Sequence, residues 1–310
     1  MKKFAKGCFL TAISMFFIGI LILIICIIIG GNSLFHYLKN ESLQHDSFSK
    51  LFDGTVVTFH NGESHLDFSE HYQTHSGKHE NMQVATASEI KNLDIDLGGG
   101  MCIISESSDD FFHIYTNNAN KFQYYKEDNT LYLKGFDKFT FGIHTNDYNA
   151  IYLDIPKNFS FENINIELDA GYLEAHSLIA ANEINLEVGA GELITTSLNT
   201  NSFSLELGAG NVEIENGDVK DANVTVGLGN MTYHGILSRD LTAECGMGNL
   251  ELFLNDSYES HNYNIDCAMG NLTLHEKSFG SIAYSKHIEH DADSTYTLTC
   301  GMGNMNILFE

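Results

Sequence analysis

The chain is dominated by a repeat in which alternating apolar residues run into a Gly-x-Gly turn and continue beyond it. The pattern recurs along residues 90–310, for example as FSLELGAGNVEI from Phe203 and LTAECGMGNLEL from Leu241. Successive first glycines of the turn, such as Gly208 and Gly227, are nineteen residues apart. A fixed period near twenty with alternation on both sides of a turn is typical of stacked β-coils. The sequence therefore predicts an all-β parallel β-helix, or β-solenoid, of ~19–20-residue coils, preceded by one transmembrane helix.

The alternation also predicts which side of each strand is buried. Counting back from the first glycine, positions −1, −3 and −5 are apolar, whereas positions −2 and −4 are polar. Period two means that one face is buried. The residues expected inside are Leu205, Leu207, Val224, Val226 and Cys245, and those expected outside are Glu206 and Thr225. A β-sandwich of antiparallel hairpins is the alternative, because Gly-x-Gly also suits a tight hairpin turn.

The turn residues are expected to form ladders along the stack. These are Gly189, Gly191, Gly208, Gly210, Gly227, Gly229, Gly246, Gly248, Asn211, Asn230 and Asn249. Glycine suits positive φ and close approach between coils, and stacked asparagines can hydrogen-bond to one another. Asp169 replaces a turn glycine and is expected to be left-handed. A phosphate loop would need a helix after the glycines, and a calcium roll would need Asp beyond them every nine residues, so neither interpretation is favoured.

Three cysteines occupy one repeat position, directly before the turn: Cys245, Cys267 and Cys300. Val188 and Leu207 hold this position in other repeats, so cysteine is expected to act there as a small buried hydrophobe. A disulfide between Cys245 and Cys267 is the alternative, because stacked strands bring Cα atoms to about 4.8 Å. The side-by-side Cβ vectors of parallel neighbours would strain that bridge. No C-x-x-C zinc pattern occurs.

The N-terminal part of the chain has a different composition. Residues 9–29 form an almost unbroken apolar run behind Lys2, Lys3 and Lys6, which is long enough to cross a membrane with the N-terminus in the cytoplasm. A cleaved signal peptide is the alternative, but the run is long and lacks a small-x-small site. We predict a cytoplasmic tip and membrane anchor over 1–31 and a polar, histidine-rich linker over 32–88. An N-terminal β section over 89–163 and the regular array over 164–310 should follow.

Net charge excludes one class of partner. Beyond the three N-terminal lysines, 13 basic residues stand against 41 acidic ones, a formal charge of −28. A nucleic-acid-binding domain needs a basic face, so no nucleic-acid partner is expected. Solubility alone explains such an acidic surface, and cationic partners remain open.

Two groups of residues are weak metal candidates. In a parallel stack Glu167, Glu187 and Glu206 would be outward neighbours, and such a face could be merely solvated or could attract divalent cations. His71, His75 and His79 lie in the histidine-rich linker, and imidazole is a frequent ligand of zinc and copper. None of these histidines has tight metal-site spacing. No cofactor and no catalytic residue are predicted.

The registered repeats, together with an Ile155-Pro156-Lys157-Asn158 segment, resemble a bacterial family of candidate adhesin domains of unknown function with Gly-x-Gly β-strand repeats. The resemblance covers residues 90–310 and implies a cell-envelope protein with an adhesin-like fold and no catalytic residues. We therefore expect a non-enzymatic, membrane-anchored extracellular solenoid that presents a rigid acidic surface to an envelope or surface ligand, either protein or polysaccharide. A sensing or regulatory membrane protein for envelope stress with the same fold is one alternative. A carbohydrate-active β-helix enzyme is another, although no pair of carboxylates breaks the repeat.

Overall fold

The computed structural model describes residues 57–60, 63–66, 82–116, 122–135, 150–280 and 283–310. The chain divides into two units, Met1–His75 and Ser76–Glu310. Of the first unit the structure describes one antiparallel hairpin, formed by β1 (Val57–His60) and β2 (Glu63–Leu66). The predicted anchor lies outside the described residues. Among those residues no helix is both long and apolar enough to span a membrane.

The described residues of the second unit form one twenty-stranded sheet and two short 3₁₀ helices. Its strands are β3 (Met82–Thr86), β4 (Asn92–Leu97), β5 (Met101–Glu106), β6 (Phe111–Thr116), β7 (Phe122–Glu127), β8 (Thr130–Gly135), β9 (Ala150–Ile155), β10 (Phe161–Leu168), β11 (Tyr172–Val188), β12 (Glu192–Leu207), β13 (Asn211–Val226), β14 (Asn230–Leu237), β15 (Leu241–Cys245), β16 (Asn249–Leu254), β17 (His261–Cys267), β18 (Asn271–Leu274), β19 (Lys277–Phe279), β20 (Tyr284–Ile288), β21 (Ser294–Cys300) and β22 (Asn304–Phe309). The helices span Ala87–Glu89 and Tyr258–Ser260.

Each coil is joined to the next by ladders of parallel strand pairs. The first ladder contains the strand before each turn, and the second contains the strand after it. In the middle of the stack the return segments also pair, at 177–180, 197–200, 217–219 and 235–237, and form a third ladder. The prediction of stacked parallel coils is thus confirmed, and the antiparallel-hairpin sandwich is wrong for this array.

The core lies on the predicted side of the strands. Leu205 and Leu207 are 2% and 1% exposed, and Val224, Val226 and Cys245 are equally buried. Glu206 is exposed as expected, whereas Thr225 is half-buried rather than exposed. Thr225 is a short side chain between the longer Glu206 and Glu244 of the adjacent coils, and this accounts for its partial cover. A coil cannot bury its own inner face, so stacking supplies the core.

Coils at the C-terminal end do not stack in chain order. After β15 and β16 the chain continues to β17 and β18, but these strands lie one position farther out. The last two strands, β21 and β22, return and insert between the two coils. The antiparallel strands β20 and β19 then cover the outer edges of β17 and β18. Strand β22 therefore lies between β16 and β18 rather than at the edge of the stack.

The N-terminal end is built in the same way. The coil formed by β4 and β5 is covered by β8 and β9, which follow it in sequence, and β10 and β11 then return to its other side. Antiparallel strands again form the edge, with β7 on β8 and β6 on β9, and β3 extends β6. An exposed parallel edge is a template for aggregation. Both ends of this stack replace it with short antiparallel strands.

Close approach between coils explains the turn glycines. A Cβ on Gly208 would lie 2.6 Å from the carbonyl oxygen of Gly189 in the preceding coil, and a Cβ on Gly210 would overlap the Gly191 carbonyl. Positive φ is not the reason, because none of the eight predicted turn glycines has it. Asp169 is not left-handed either, which corrects the prediction for that residue. The turn needs a small residue where backbone meets backbone.

The inserted strand β21 overturns the predicted cysteine neighbours. Cys300 pairs in register with Cys245 on one side and with Cys267 on the other. Cys245 and Cys267 are thus two strands apart, and all three thiols are free and buried. Each thiol donates to the carbonyl of the glycine three residues beyond it, at 3.3 Å to Gly248, Gly270 and Gly303. Cysteine here fills the aliphatic position and also satisfies a turn carbonyl.

Candidate interaction surface

A column of carboxylates runs along the outer face of the first ladder. Asp96, Glu167, Glu187 and Glu206 are consecutive in-register neighbours, and we call them the acidic ladder. Adjacent strands are about 4.8 Å apart, so these side chains emerge side by side from a rigid backbone. The predicted stacking of Glu167, Glu187 and Glu206 is present in the structure. Like charges this close repel one another unless a cation lies near them.

The environment of Glu167 shows that compensation is incomplete. Its pKa is raised, first by partial burial and then by the charges of Asp96 and Glu187. The Lys134 ammonium lies 3.7 Å from an Asp96 carboxylate oxygen and offsets charge at the end of the ladder. The ladder thus offers a line of negative charge that a cationic ligand would neutralise.

Beyond Glu206 the same column becomes less acidic. It continues through Thr225, Glu244, Thr299 and Asp266. Chain order alone would place Glu244 beside Asp266, but the inserted strand puts Thr299 between them. Consecutive carboxylates are therefore confined to the N-terminal half of the stack.

The second ladder begins with a column of asparagines. Asn211, Asn230 and Asn249 are in register, and Asn304 and Asn271 continue the column in that spatial order. The Asn230 amide nitrogen donates to the Asn211 amide oxygen at 3.0 Å. This bond joins adjacent coils, so these side chains contribute to the stack itself.

Metal binding receives no support from the arrangement of hard ligands. Within the described ranges, no three His, Cys, Asp or Glu side chains come together as a metal site. The acidic ladder is linear, with its carboxylates emerging in a row. His71, His75 and His79 lie outside the described residues, and their metal binding stays a prediction.

An open cleft of about 400 Å³ lies beside the third ladder. Phe159 and Phe161 contribute aromatic surface, with their rings in edge-to-face contact at 4.8 Å. His176, Thr196 and Glu215, from successive coils, contribute polar groups. The cleft has the size of a small-molecule site. The repeat pattern did not predict this cleft, because the segment at 156–161, which lines one side of it, is outside the array.

A Ser-His-Asp group occurs in the C-terminal excursion, the segment 255–293 together with the start of β21. His261 Nδ1 is 2.5 Å from Ser294 Oγ, and its Nε2 is 3.0 Å from an Asp256 carboxylate oxygen. The imidazole is 1% exposed, and Ser294 also donates to the Ser260 carbonyl. A nucleophile must reach its substrate. This buried group instead ties the excursion to the returning strand, and its members are too far apart in sequence to have been predicted together.

Comparison with known sequences places the chain in a family. The sequence profile of the Toastrack DUF4097 family matches residues 90–296. The chain belongs to the Toastrack DUF4097 family. The match covers strands β4 to β20, and Toastrack is thus the family name of this all-β, solenoid-like architecture. No curated protein matches the chain.

Several solved structures are distantly similar to this chain. A candidate adhesin from Bacteroides fragilis is 14% identical, with a TM-score of 0.42 over 74% of this chain and 96% of that one. A candidate cell adhesion protein from Clostridium sporogenes is 13% identical, with a TM-score of 0.35 over 75% and 99%. A candidate lipid-binding protein from Parabacteroides distasonis is 12% identical, with a TM-score of 0.36 over 74% and 96%. At these values the neighbours carry no argument about the ligand of this chain.

Proposed function

We propose that this Toastrack protein is a non-enzymatic, membrane-anchored protein of the cell envelope that binds a cationic ligand through its acidic ladder. The observation that carries the proposal is the in-register stacking of Asp96, Glu167, Glu187 and Glu206 on one rigid face. A ligand with regularly spaced positive charges, on a protein or a polysaccharide, would match this face.

The rigid backbone of the acidic ladder favours a binding function over catalysis. The carboxylates are held by continuous parallel pairing, so little conformational entropy is lost when a ligand binds. Each carboxylate repeats its neighbour, whereas acid–base catalysis needs two groups in different environments. A repeated row of equivalent charges is suited to an extended partner.

Orientation follows from the N-terminal segment. Lys2, Lys3 and Lys6 precede the apolar run at 9–29, and the positive-inside rule then places the Toastrack domain outside the membrane. Protease added to intact cells should degrade the domain while the cytoplasmic tip stays protected. Complete protection of the domain in intact cells, with digestion after lysis, would reverse this topology.

The binding test uses the full-length chain and an oligolysine probe. Glu187→Gln/Glu206→Gln should weaken oligolysine binding several-fold, measured by titration calorimetry at low salt, because it removes two adjacent charges. Glu213→Gln/Glu251→Gln is the matched control, since it removes the same charge from the second ladder, where Thr232 separates the two residues. Equal losses in both variants would mean that binding depends on net charge and would refute a ladder site.

Calcium provides a second test of the same face. A cation that binds the ladder should raise the melting temperature of the wild-type protein more than sodium at matched ionic strength. The difference should disappear in Glu187→Gln/Glu206→Gln. If calcium and sodium shift both proteins alike, the ladder does not bind divalent cations. Following reducing-end release from cell-wall polysaccharide in the same preparations would detect the alternative enzymatic function.

A further inference from the structure

Three adjacent coils expose a methionine at the centre of their turns. Met247, Met302 and Met269 are 56%, 55% and 63% exposed, and we call them the methionine triad. They occur in the segments CGMGN, CGMGN and CAMGN. Ala190 and Ala209 hold the same position in earlier coils, and Leu228 holds it in the coil next to Met247. The thioethers are therefore concentrated at one end of the turn ridge.

The backbone fixes the three methionines in a row. The Met302 amide donates to the Gly246 carbonyl at 2.7 Å, and the Met269 amide donates to the Gly301 carbonyl at 2.8 Å. The residues after each turn are also in register, because the amides of Asn304 and Asn271 donate to Gly248 and Gly303. The Cα atoms of neighbouring triad members are thus about one strand spacing, ~4.8 Å, apart. Met302, the last of the three in sequence, is the middle one in space.

Thioether sulfur selects a particular class of metal. It is a soft ligand that prefers Cu(I) and related ions over Zn²⁺, Ca²⁺ or Mg²⁺. Methionine has three rotatable side-chain bonds, so the two outer sulfurs can bend toward a point above the middle residue. The exposed carboxylates Glu244 and Asp266, each directly before Cys245 or Cys267 in sequence, add a negative field that attracts cations.

We propose that the methionine triad is a surface site for a soft monovalent metal ion, Cu(I) or Ag(I), held by three thioethers. The site is separate from the acidic ladder, since it is formed by turn residues of the three C-terminal coils. Thioethers carry no proton, so binding releases none and needs no redox step. Because the site is exposed, the protein would take up the ion from solvent and release it again at the envelope surface.

The cysteines of the same coils are a different set of groups. Their thiols are buried on the core side and donate to turn carbonyls, whereas the methionines extend into solvent. Thiolate is the form that binds metal. Burial raises the pKa of the Cys300 thiol to about 12, which keeps it protonated at neutral pH. Ligation by the triad therefore requires no opening of the core.

The test titrates Ag(I), a redox-inert probe, into the full-length chain carrying Cys8→Ala/Cys26→Ala, which removes the thiols of the N-terminal segment. This protein should bind one Ag(I), and Met247→Leu/Met269→Leu/Met302→Leu should bind it more than about tenfold more weakly. Leucine keeps the volume and apolar character of methionine, so the fold should survive. Zn²⁺ should not compete for the site.

Two controls separate the triad from other sulfur. Met231→Leu/Met305→Leu alters buried methionines, and Cys245→Val/Cys267→Val/Cys300→Val removes the buried thiols, so both should retain Ag(I) binding. Unchanged affinity in the triad variant would overturn the proposal, and so would loss of binding in the cysteine variant alone. An apolar docking role for the stripe would give that first result, since leucine would serve equally well.

Spectroscopy keeps the proposal testable if the triple variant fails to fold. With methyl-¹³C methionine, Ag(I) should shift the resonances of Met247, Met269 and Met302 together at one equivalent. Among single substitutions, Met302→Leu should weaken binding most, because the middle sulfur is adjacent to both others. The proposed site would be contradicted if Met269→Leu weakened Ag(I) binding most, or if the three methionine resonances did not shift together.

Discussion

The central and terminal coils of this molecule use the same repeat in different ways. From β11 to β15 each coil stacks on the one that precedes it in sequence, and its turn has alanine or leucine at the centre. At the C-terminal end the chain forms the outermost strands β17 and β18 and then returns to fill the gap beneath them with β21 and β22. At the N-terminal end the chain order is mirrored, because β8 and β9 cover the earlier β4 and β5 before β10 and β11 continue on their other side. The repeat therefore specifies the shape of a coil but not its place in the stack.

The central and terminal coils differ because the edges of the stack need protection. A central coil has a parallel neighbour on each side, so its backbone groups are satisfied by ladders. An outermost coil needs a different partner, and each excursion supplies it as short antiparallel strands with charged residues such as Lys126 and Lys286. Capping of this kind is required for a soluble stack of repeats.

The largest expected effect is the presence or absence of a cross-link, which tests the order of the terminal coils. Glu244→Cys/Thr299→Cys should cross-link with a short bifunctional thiol reagent, because these exposed positions are direct neighbours. Glu244→Cys/Asp266→Cys should not, since its two positions are two strand spacings, roughly 10 Å, apart. In the central coils, Glu187→Cys/Glu206→Cys should cross-link under either order and is the positive control. Efficient cross-linking of Glu244→Cys/Asp266→Cys would mean that the terminal coils stack in chain order.

A buried charge should lower the free energy of unfolding more in a coil with parallel neighbours on both sides than in a coil with only one. Leu207→Asp places a carboxylate between Val188 and Val226 in the core and should cost about 3–5 kcal/mol of unfolding free energy. Cys267→Asp makes the same change in the outermost coil, which has only one parallel neighbour. We expect a smaller cost there, because that coil can open locally without disrupting the stack. Denaturant unfolding measures both, and equal costs would show that the terminal coil is as cooperative as the centre.

The C-terminal excursion should make stability depend on pH. Burial lowers the pKa of His261 below its ordinary 6.5, so between the folded pKa and 6.5 the unfolded chain binds more protons than the folded one. Stability should therefore fall as the pH drops through that window. His261→Gln should reduce the slope of unfolding free energy against pH, whereas the exposed control His176→Gln should leave it unchanged. An identical slope in wild type and His261→Gln would remove the excursion as the source.

The smallest expected effect concerns the break in the column of carboxylates. Thr225 lies between Glu206 and Glu244, so Thr225→Lys should add stability and Thr225→Glu should remove it, each by about 0.5 kcal/mol. Salt should reduce the difference between the two variants, because the charges are near the surface. Thermal melting at low and high ionic strength checks this. Melting temperatures that agree at low salt would indicate that solvent already screens this face.

Sequence periodicity anticipated the central coils well, because their contacts repeat locally. The alternation placed Leu205 and Val224 inside and Glu206 outside, and it aligned Glu167, Glu187 and Glu206 in one column. The prediction of neighbours failed at the C-terminal end, where a partner distant in sequence was involved. Cys300 separates Cys245 from Cys267, and the Asp256–His261–Ser294 contacts join residues of the excursion to the returning strand.

The sequence by itself determined the coil: its length, its turn, its buried face and the residue types of each column. These depend on period-two alternation and on the small size of glycine at the turn, which are local properties. Tertiary structure alone decided the order of the terminal coils, the antiparallel caps and the placement of Met302 between Met247 and Met269. Parallel edges of equivalent repeats are nearly interchangeable in hydrogen bonding, so only the lengths and packing of the excursions select which coil covers which.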